Sequence, residues 1–194
     1  MHLKDIKTLG IIGGGISGLS FAWEIKKNWP SLPKVIIFDP RFGRRKPIRP
    51  NRTSGLIYRG LAEKYEMLRK GSNVIAQELH TITFHKSGKT VEIPDPLGRE
   101  IYTVTKNPLP AGDERIDSIY QFLQERLDET SEIEFRDACV VDILFGSGKD
   151  EPHEIICKYG DTGKVQSERV DAIVLTTKPA PIEQTLRKKI KYIP

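Results

Sequence analysis

The segment Ile11-Ile12-Gly13-Gly14-Gly15-Ile16-Ser17-Gly18 has three glycines in the order Gly-x-Gly-x-x-Gly, between an apolar run and an amphipathic stretch. Gly13 permits a tight turn, Gly15 lets the backbone approach a bound group, and Gly18 lets a helix pack closely on a strand. The amphipathic stretch, Ile16–Asn28, is followed by prolines, through which a helix does not continue. The segment therefore predicts a β-strand, a glycine turn and a helix whose first amides face an anionic ligand.

A second apolar run, Val35-Ile36-Ile37-Phe38, ends in Asp39, about 20 residues after Gly18. Because a helical crossover separates the two apolar runs, their strands are predicted to be parallel. An acidic side chain at this position can accept hydrogen bonds from both ribose hydroxyls of an adenosine, and it would repel a 2′-phosphate. These observations predict a dinucleotide site for FAD or NAD rather than NADP. The alternative is that Asp39 only caps the turn made with Pro40 and that the glycines serve packing.

The composition is that of a globular chain of one large or two small domains, with 194 residues, 31 Lys and Arg, 26 Asp and Glu, and a formal net charge of +5. This length buries a core without a disulfide or a structural metal. The two cysteines, Cys139 and Cys157, lie far apart in apolar runs, which predicts buried structural thiols and an intracellular setting. Because no apolar run approaches about 20 residues and no secretory pattern is present, we expect no membrane span and a cytoplasmic location.

Other kinds of site have little support in the sequence. The four histidines share no ligand-like spacing, so no metal site is predicted. Six cations lie between Arg41 and Arg52, where one or two could neutralise a pyrophosphate or accept an anionic substrate, and the alternative is a solvated loop. Phe42 is the only aromatic residue among them and no nucleic-acid-reading motif accompanies them, so nucleic acid is not an expected partner.

The region after this basic loop is predicted to leave the main sheet. It has a helical stretch at Leu61–Arg69, then two runs, Thr81–Phe84 and Thr90–Ile93, joined by a Lys-Ser-Gly-Lys turn that is typical of a β-hairpin. Prolines and glycines between residues 94 and 112 predict mostly loop. We therefore expect an excursion at about residues 71–112 within a single domain that spans residues 1–194.

The last part of the chain is predicted to return to the main fold. Ile116, Ile119, Tyr120, Leu123 and Leu127 are spaced as on one face of a helix. The apolar runs after them are Ile133–Phe135, Val140–Phe145, Glu154–Tyr159 and Ala172–Leu175. The first and last are typical of buried parallel strands, and the middle two of an antiparallel meander. The predicted fold class is α/β, a Rossmann-like parallel sheet with an antiparallel β-meander and a small β-hairpin excursion.

The first 40 residues resemble the N-terminus of FAD-dependent oxidoreductases, whose motif usually reads Val-Ile-Gly-Gly-Gly-x-Ser/Ala-Gly-Leu-x-x-Ala, as in Ile11–Ala22 here. The later order of segments is similar to the group typified by para-hydroxybenzoate hydroxylase and geranylgeranyl reductase. Arg52–Ile57 resembles the reductase loop beside the flavin, the stretch from Arg115 resembles a helix start of the group, and Glu134–Ile143 resembles a strand pair next to adenine. The resemblance implies a Rossmann-like FAD-binding domain.

The motif and the resemblance together imply FAD as the cofactor. The candidate cofactor-binding residues are Gly13, Gly15, Ile16, Ser17, Gly18, Asp39, Pro40, Arg41, Ser54, Arg115 and Val140. No catalytic side chain is predicted, because the isoalloxazine of FAD would carry the electrons and the protein would position and shield it.

Three departures from the group bear on function. Thr176-Thr177-Lys178 stands where the group has Ala-Asp-Gly, Pro50-Asn51-Arg52 stands where the reductases have a cysteine, and the group's C-terminal substrate region does not follow Pro194. We therefore expect the FAD-binding domain of a monooxygenase or reductase that is incomplete for catalysis alone, with a complementary subunit or a missing C-terminal half and a small-molecule substrate. The alternatives are a non-catalytic dinucleotide-binding or interaction module, a subunit of a split flavoenzyme, and an NAD-dependent dehydrogenase.

Overall fold

A computed structural model describes residues 5–29, 31, 33–40, 42, 54–68, 74–94, 100–105, 118–148, 151–160 and 162–177. The strands are β1 (Thr8–Ile12), β2 (Lys34–Phe38), β3 (Ser54–Tyr58), β4 (Ile75–Leu79), β5 (Thr81–Lys86), β6 (Lys89–Pro94), β7 (Ile101–Thr105), β8 (Ile133–Arg136), β9 (Ala138–Leu144), β10 (His153–Tyr159), β11 (Val165–Val170) and β12 (Ala172–Leu175). The helices are α1 (Ile16–Asn28), α2 (Arg59–Lys64) and α3 (Ile119–Asp128). The chain forms two compact units, Met1–Ile48 with Leu123–Pro194, and Arg49–Phe122.

The first unit contains a four-stranded parallel sheet in the order β12-β1-β2-β8. Leu9 of β1 pairs in register with Val35 of β2 on one side and with Ala172 of β12 on the other. Val35 in turn pairs with Ile133 of β8. The two central strands are apolar throughout their last four residues and bury them, as strands covered on both faces do. The β1-α1-β2 unit is the predicted parallel crossover.

The same unit contains a three-stranded antiparallel meander in the order β11-β10-β9. Its apolar face shares one core cluster with the parallel sheet. This cluster contains Ile12, Ile36, Phe38, Ala138, Val140, Ile143, Ile155, Cys157 and Val170. Burying an isoleucine or phenylalanine side chain contributes about 1.5–3 kcal/mol, so the cluster is a principal source of stability for the end of the sheet where β1 and β2 finish.

The second unit contains a three-stranded antiparallel sheet in the order β3-β7-β4 and a separate two-stranded hairpin, β5-β6. The hairpin turn places Ser87 at φ 50° and Gly88 at φ 75°. Two successive positive φ values are the signature of the tight turn that matches the twist of a hairpin. The hairpin predicted from the Lys-Ser-Gly-Lys turn is therefore confirmed, and each strand extends to the turn.

The predicted α/β fold class is confirmed, and α1 has the predicted bounds. Four strands were not predicted, namely β3, β4, β7 and β11. The prediction of mostly loop between residues 94 and 112 is wrong at β7, because Ile101–Thr105 lies between two partners and pairs with both β3 and β4. The single-domain boundaries and the excursion at residues 71–112 stay predictions.

Two further predictions are wrong in detail. The helix predicted at Leu61–Arg69 is α2, which begins at Arg59 and ends at Lys64, and the left-handed backbone of Glu66 (φ 58°) prevents its continuation. The strand at Ala172–Leu175 is only half-buried, because β12 lies at an edge of the parallel sheet. Ile116 of the predicted third helix lies outside the described residues.

Candidate functional site

The glycine turn after β1 has the geometry that its sequence predicts. Gly13 has φ +105°, a conformation that side-chain-bearing residues rarely adopt, and its N–H donates to Phe38 O at 2.9 Å. A Cβ on Gly18 would collide with the carbonyl oxygen of Gly13, a backbone atom that has no room to move. Gly13 therefore makes the turn, and Gly18 lets α1 start directly against it.

The start of α1 has backbone N–H donors that no side chain caps. Gly15 is the N-cap residue, no side chain caps the helix, and the first turn contains no acidic residue. The first intrahelical bond runs from Leu19 N–H to Gly15 O at 3.0 Å, so the amides of Ile16, Ser17 and Gly18 precede it. These amides and the positive end of the helix dipole suit an anionic group such as a pyrophosphate.

The carboxylate of Asp39 lies beside the same turn. Asp39 follows the last residue of β2 and is 4% exposed, and its Oδ2 accepts a hydrogen bond of 2.8 Å from Gly14 N–H. Its backbone N–H donates to Arg136 O at 3.0 Å, which continues the β2–β8 pairing by one residue. The structure therefore gives Asp39 a role that the sequence did not reveal, namely holding the glycine turn in place.

The backbone turn after Asp39 is also present. Phe42 N–H donates to Asp39 O at 3.3 Å, so the carbonyl of Asp39, rather than its carboxylate, makes the bond that closes the turn. The ring of Phe42 occupies the space next to Gly14, where a Cβ would collide with it, and packs edge-on against Phe135 at 4.9 Å between centroids. Gly14 therefore has to be small because of Phe42 and Asp39.

Thr176 is a contact of the turn that the sequence motif did not reveal. Its Oγ1 donates toward Gly13 O at 2.7 Å and lies 3.1 Å from Ile12 O, while its N–H donates to Ile12 O at 3.0 Å. Thr177 also lies against this turn, since a Cβ on Gly13 would be 3.0 Å from the Cβ of Thr177. The threonines that replace the Ala-Asp-Gly of the resembled group are thus packed on the glycine turn.

The other candidate residues are not all brought to this point. Pro40 is exposed next to Asp39, and Val140 is 6% exposed in the core cluster that also holds Phe38. Ser54 begins β3 in the second unit. Arg41 and Arg115 lie outside the described residues. The structure therefore brings together the five predicted residues of the turn and helix start with Asp39.

A charged network borders the end of β8, on the strand next to β2. Lys34 Nζ contacts Glu134 Oε1 at 2.8 Å, Arg136 also pairs with Glu134, and Arg136 Nε lies 3.6 Å from Glu168. The hydrogen bond from Lys34 is the main cause that lowers the pKa of Glu134, and Arg136 lowers it further. Because these cations are already paired with carboxylates, the network links β2, β8 and β11 rather than offering a free cation to an anionic ligand.

The two cysteines have different environments. Cys157 is buried, and burial raises the pKa of its thiol to about 12, so it remains protonated at neutral pH. Cys139 is exposed, so the prediction of a buried thiol is wrong there, because its side chain lies on the solvent side of β9. Both thiols are free.

Within the described ranges, no group of three or more His, Cys, Asp and Glu side chains could hold a metal ion. The described helices include none that is both long and apolar enough to span a membrane.

No protein-family model matches the chain, and no curated protein matches it. Solved structures do match. The flavin-dependent monooxygenase PieE, in complex with FAD and substrate, has a TM-score of 0.60 at 14% identity, over 86% of this chain and 29% of PieE. RebC soaked with chromopyrrolic acid, with bound 7-carboxy-K252c, has a TM-score of 0.58 at 13% identity, over 94% of this chain and 34% of RebC. The substrate-free form of the rebeccamycin biosynthetic enzyme REBC has a TM-score of 0.53 at 14% identity, over 93% of this chain and 35% of that enzyme.

These likenesses show the fold, and they confirm the Rossmann-like architecture predicted from the glycine motif. The chain spans about a third of the length of these solved structures.

Proposed function

We propose that the chain is the FAD-binding part of a flavin-dependent oxidoreductase. The observation that carries the proposal is the buried carboxylate of Asp39, bonded to Gly14 beside the uncapped start of α1. The complex of PieE, a protein of the same fold, with FAD supports FAD over NAD. The negative charge of Asp39 supports FAD over NADP, because it would repel a 2′-phosphate.

Different residues of the turn would bind different parts of the dinucleotide. The amides of Ile16, Ser17 and Gly18 would hold the pyrophosphate, since they are donors at the positive end of a helix. Asp39 would accept hydrogen bonds from the adenosine ribose, while its bond to Gly14 fixes the carboxylate in place. Contacts with the rest of the cofactor stay predictions for the remaining candidates, which are Pro40, Arg41, Ser54, Arg115 and the backbone at Val140. FAD, when bound, would supply electron transfer through its isoalloxazine.

The finer assignment is to a monooxygenase or reductase of the group typified by para-hydroxybenzoate hydroxylase and geranylgeranyl reductase, located in the cytoplasm. The group is supported by the order of the later segments, including the resemblances at Arg52–Ile57 and Glu134–Ile143, and the location by the absence of a secretory pattern in this sequence. Because the chain spans about a third of its structural neighbours, we include in the proposal that a further segment or a complementary subunit supplies the binding site of a small-molecule substrate.

A second candidate is a non-catalytic dinucleotide-binding or interaction module. The packing of Thr176 and Thr177 on Gly13 favours it, because these residues replace the Ala-Asp-Gly of the resembled group. A flavoenzyme passes electrons from a reductant to bound FAD, whereas a binding module holds the dinucleotide without turnover. Bleaching of bound flavin by NADH or NADPH would support the enzyme, and its absence in an FAD-loaded protein would support the module.

The test is the absorbance spectrum of the purified protein after incubation with FAD and desalting, followed by calorimetric titration with FAD, ADP and FMN. We expect retained flavin bands, competition by ADP, and little binding of FMN, which lacks the adenosine and its pyrophosphate linkage. A folded protein that takes up no FAD would overturn the proposal.

The variant pair for this test is Gly15→Val and Gly148→Val. The first places a branched side chain at the start of α1 and should abolish FAD binding in a folded protein. The second lies in the same unit, where a Cβ would have only an ordinary contact with Glu151, and should bind FAD as the wild type does. Equal FAD binding by both variants would show that the glycine turn is not part of the binding site.

A further inference from the structure

The β5-β6 hairpin of the second unit has one apolar face and one polar face. Residues that pair directly across the two strands share a face, and Ile82 pairs with Ile93 while Phe84 pairs with Val91. The opposite face carries the polar pairs Thr83 with Glu92 and His85 with Thr90. A strand pair with this alternation normally buries its apolar face. Here Phe84 is 56% exposed and Val91 is 59% exposed, so much of that face is open to solvent.

The apolar face borders a cleft of about 350 Å³ within the second unit. The cleft is lined by Leu56, Ile57, Tyr58, Ile82, Phe84, Ile93 and Ile101. Its volume lies in the range of small-molecule sites, and its walls are almost entirely apolar, as they are in such sites. Leu56, on the other wall, is 60% exposed. Large side chains of this kind, gathered around a concave surface, indicate a binding site more than a scattered exposed residue does.

The tip of the hairpin adds positive charge to the apolar face. Lys86 pairs with Lys89 across the turn, and both follow the alternation of the apolar face, two residues beyond Phe84 and Val91. With a rise of about 3.4 Å per residue, the two lysine positions lie roughly 7 Å along the strands from these side chains. Among the described residues, neither ammonium group has an ion-pair partner.

Arg59, which follows Tyr58 of the cleft wall, does not offer a comparable charge. Its guanidinium contacts Glu63 Oε1 and Glu100 Oε1, each at 2.7 Å. A hydrogen bond from Tyr102 lowers the pKa of Glu100, so this carboxylate remains ionised beside Arg59 at neutral pH. Among the described residues, the unpaired positive charge nearest to the cleft therefore belongs to the hairpin tip.

From this arrangement we infer that the cleft binds an amphiphile with an elongated apolar body and an anionic end, the apolar body against Phe84 and Ile101 and the anion toward Lys86 and Lys89. An apolar anion is favoured over a neutral molecule because, within the part of the chain that the structure describes, neither lysine pairs with a carboxylate. The inference does not rest on FAD binding, because every residue that carries it belongs to the second unit.

The test uses three probes with the same ten-carbon chain, namely decanoate, decanol and decyltrimethylammonium, at concentrations below micelle formation. Binding is followed in the full chain by NMR of isoleucine δ1 methyl groups. We expect decanoate to shift the methyl signals of Ile57, Ile82, Ile93 and Ile101, and to leave those of the buried Ile11 and Ile155 of the first unit unchanged. The other two probes should bind more weakly.

Two pairs of variants separate the contributions. The double substitution Lys86→Glu and Lys89→Glu should weaken decanoate binding by at least about fivefold and reverse the preference toward decyltrimethylammonium. Its control, Lys158→Glu with Lys164→Glu, makes the same change of net charge at exposed positions of the first unit and should leave binding unchanged. Phe84→Ser should weaken all three probes, whereas Val165→Ser, at a residue of similar exposure in the first unit, should not.

Several results would overturn the inference. Unshifted cleft methyl groups at saturating decanoate would show that the cleft is not a site, and equal affinity for the three probes would remove the anionic end. Binding to anionic phospholipid vesicles without any binding of monomeric decanoate would assign the exposed face to a membrane surface instead.

Discussion

Asp39 Oδ2 accepts a hydrogen bond of 2.8 Å from Gly14 N–H, which ties the residue after β2 to the turn after β1. The two residues are separated by the whole of α1, so the bond closes the β1-α1-β2 unit at the end where the cofactor is proposed to bind. A carboxylate in this position both stabilises the turn and places negative charge beside the start of the helix.

The two roles of Asp39 can be separated by two substitutions. Asp39→Ala removes the acceptor and leaves a buried N–H at Gly14, so we expect a loss of about 1–3 kcal/mol in the free energy of unfolding together with weaker FAD binding. Asp39→Asn keeps an oxygen for Gly14 N–H and should retain most of the stability while it loses the charge. Urea unfolding and calorimetric titration of each variant measure the two effects. If Asp39→Ala were as stable as the wild type, the bond to Gly14 would make no contribution to the free energy of unfolding.

The close approach of Gly18 to the turn predicts that a single methyl group is harmful there. Gly18→Ala would place a Cβ against Gly13 O, and because a carbonyl of the backbone cannot rotate away, we expect a cost of about 1–3 kcal/mol or more. Gly60→Ala is the matched change in α2, where a Cβ would meet only Tyr58 at 3.5 Å. That variant should be neutral or more stable, since alanine favours a helix. Thermal unfolding of both proteins provides the comparison, and equal Tm shifts would contradict the close approach.

The hydroxyl of Thr176 predicts a difference between two conservative substitutions. Thr176→Val keeps the shape but removes the donor to Gly13 O, and we expect a loss of about 0.5–1.5 kcal/mol in stability. Thr176→Ser retains the donor and should be closer to the wild type. Urea denaturation would measure the difference in the free energy of unfolding between the two variants, provided that their m-values agree. Should Thr176→Ser be more destabilising than Thr176→Val, the methyl group rather than the hydroxyl would account for the role of Thr176.

The two thiols predict different reactivities and a pH effect. At pH 8 a thiol reagent should modify Cys139 in the folded protein and spare Cys157, so Cys139→Ser should remain unlabelled until it is unfolded.

Because burial raises the pKa of Cys157 from 9.0 to about 12, its contribution to stability is fully present below pH 9 and is lost as the pH rises toward 12. Denaturation midpoints of wild type and Cys157→Ala between pH 8 and 11 would reveal it. Rapid labelling of native Cys157 at pH 8 would contradict both expectations.

The sequence was most informative where one short segment determines its own structure. The glycines and the following prolines set the limits of α1, and the apolar runs on both sides of the helix set the parallel pair β1 and β2. The hairpin could be predicted for the same reason, because its turn residues and its alternation of apolar and polar residues both lie within one short segment.

Three of the missed strands, β3, β4 and β7, depend on partners distant in sequence, whereas β11 pairs with β10, the strand directly before it. β3 follows a basic, proline-containing stretch of sequence and pairs with β7, whose neighbours in sequence are prolines and glycines, so neither strand has a local signal. The same holds for the site. The motif identified Gly13 and Asp39 but not the bond between Asp39 and Gly14, nor Thr176, whose hydroxyl reaches Gly13 from a separation of 163 residues. Such contacts come from the topology of the sheet, which a residue pattern alone does not specify.

The position of β12 beside β1 has a consequence for biosynthesis. During synthesis, the strand before the glycine turn acquires the β12 neighbour and the Thr176 contact only after more than 160 further residues, a wait on the order of ten seconds at typical elongation rates. The second unit is continuous in sequence and can fold during that interval. Until then one edge of the apolar strand β1 lacks its partner, so this edge stays open to pairing with other strands until the segment that holds Thr176 has been made.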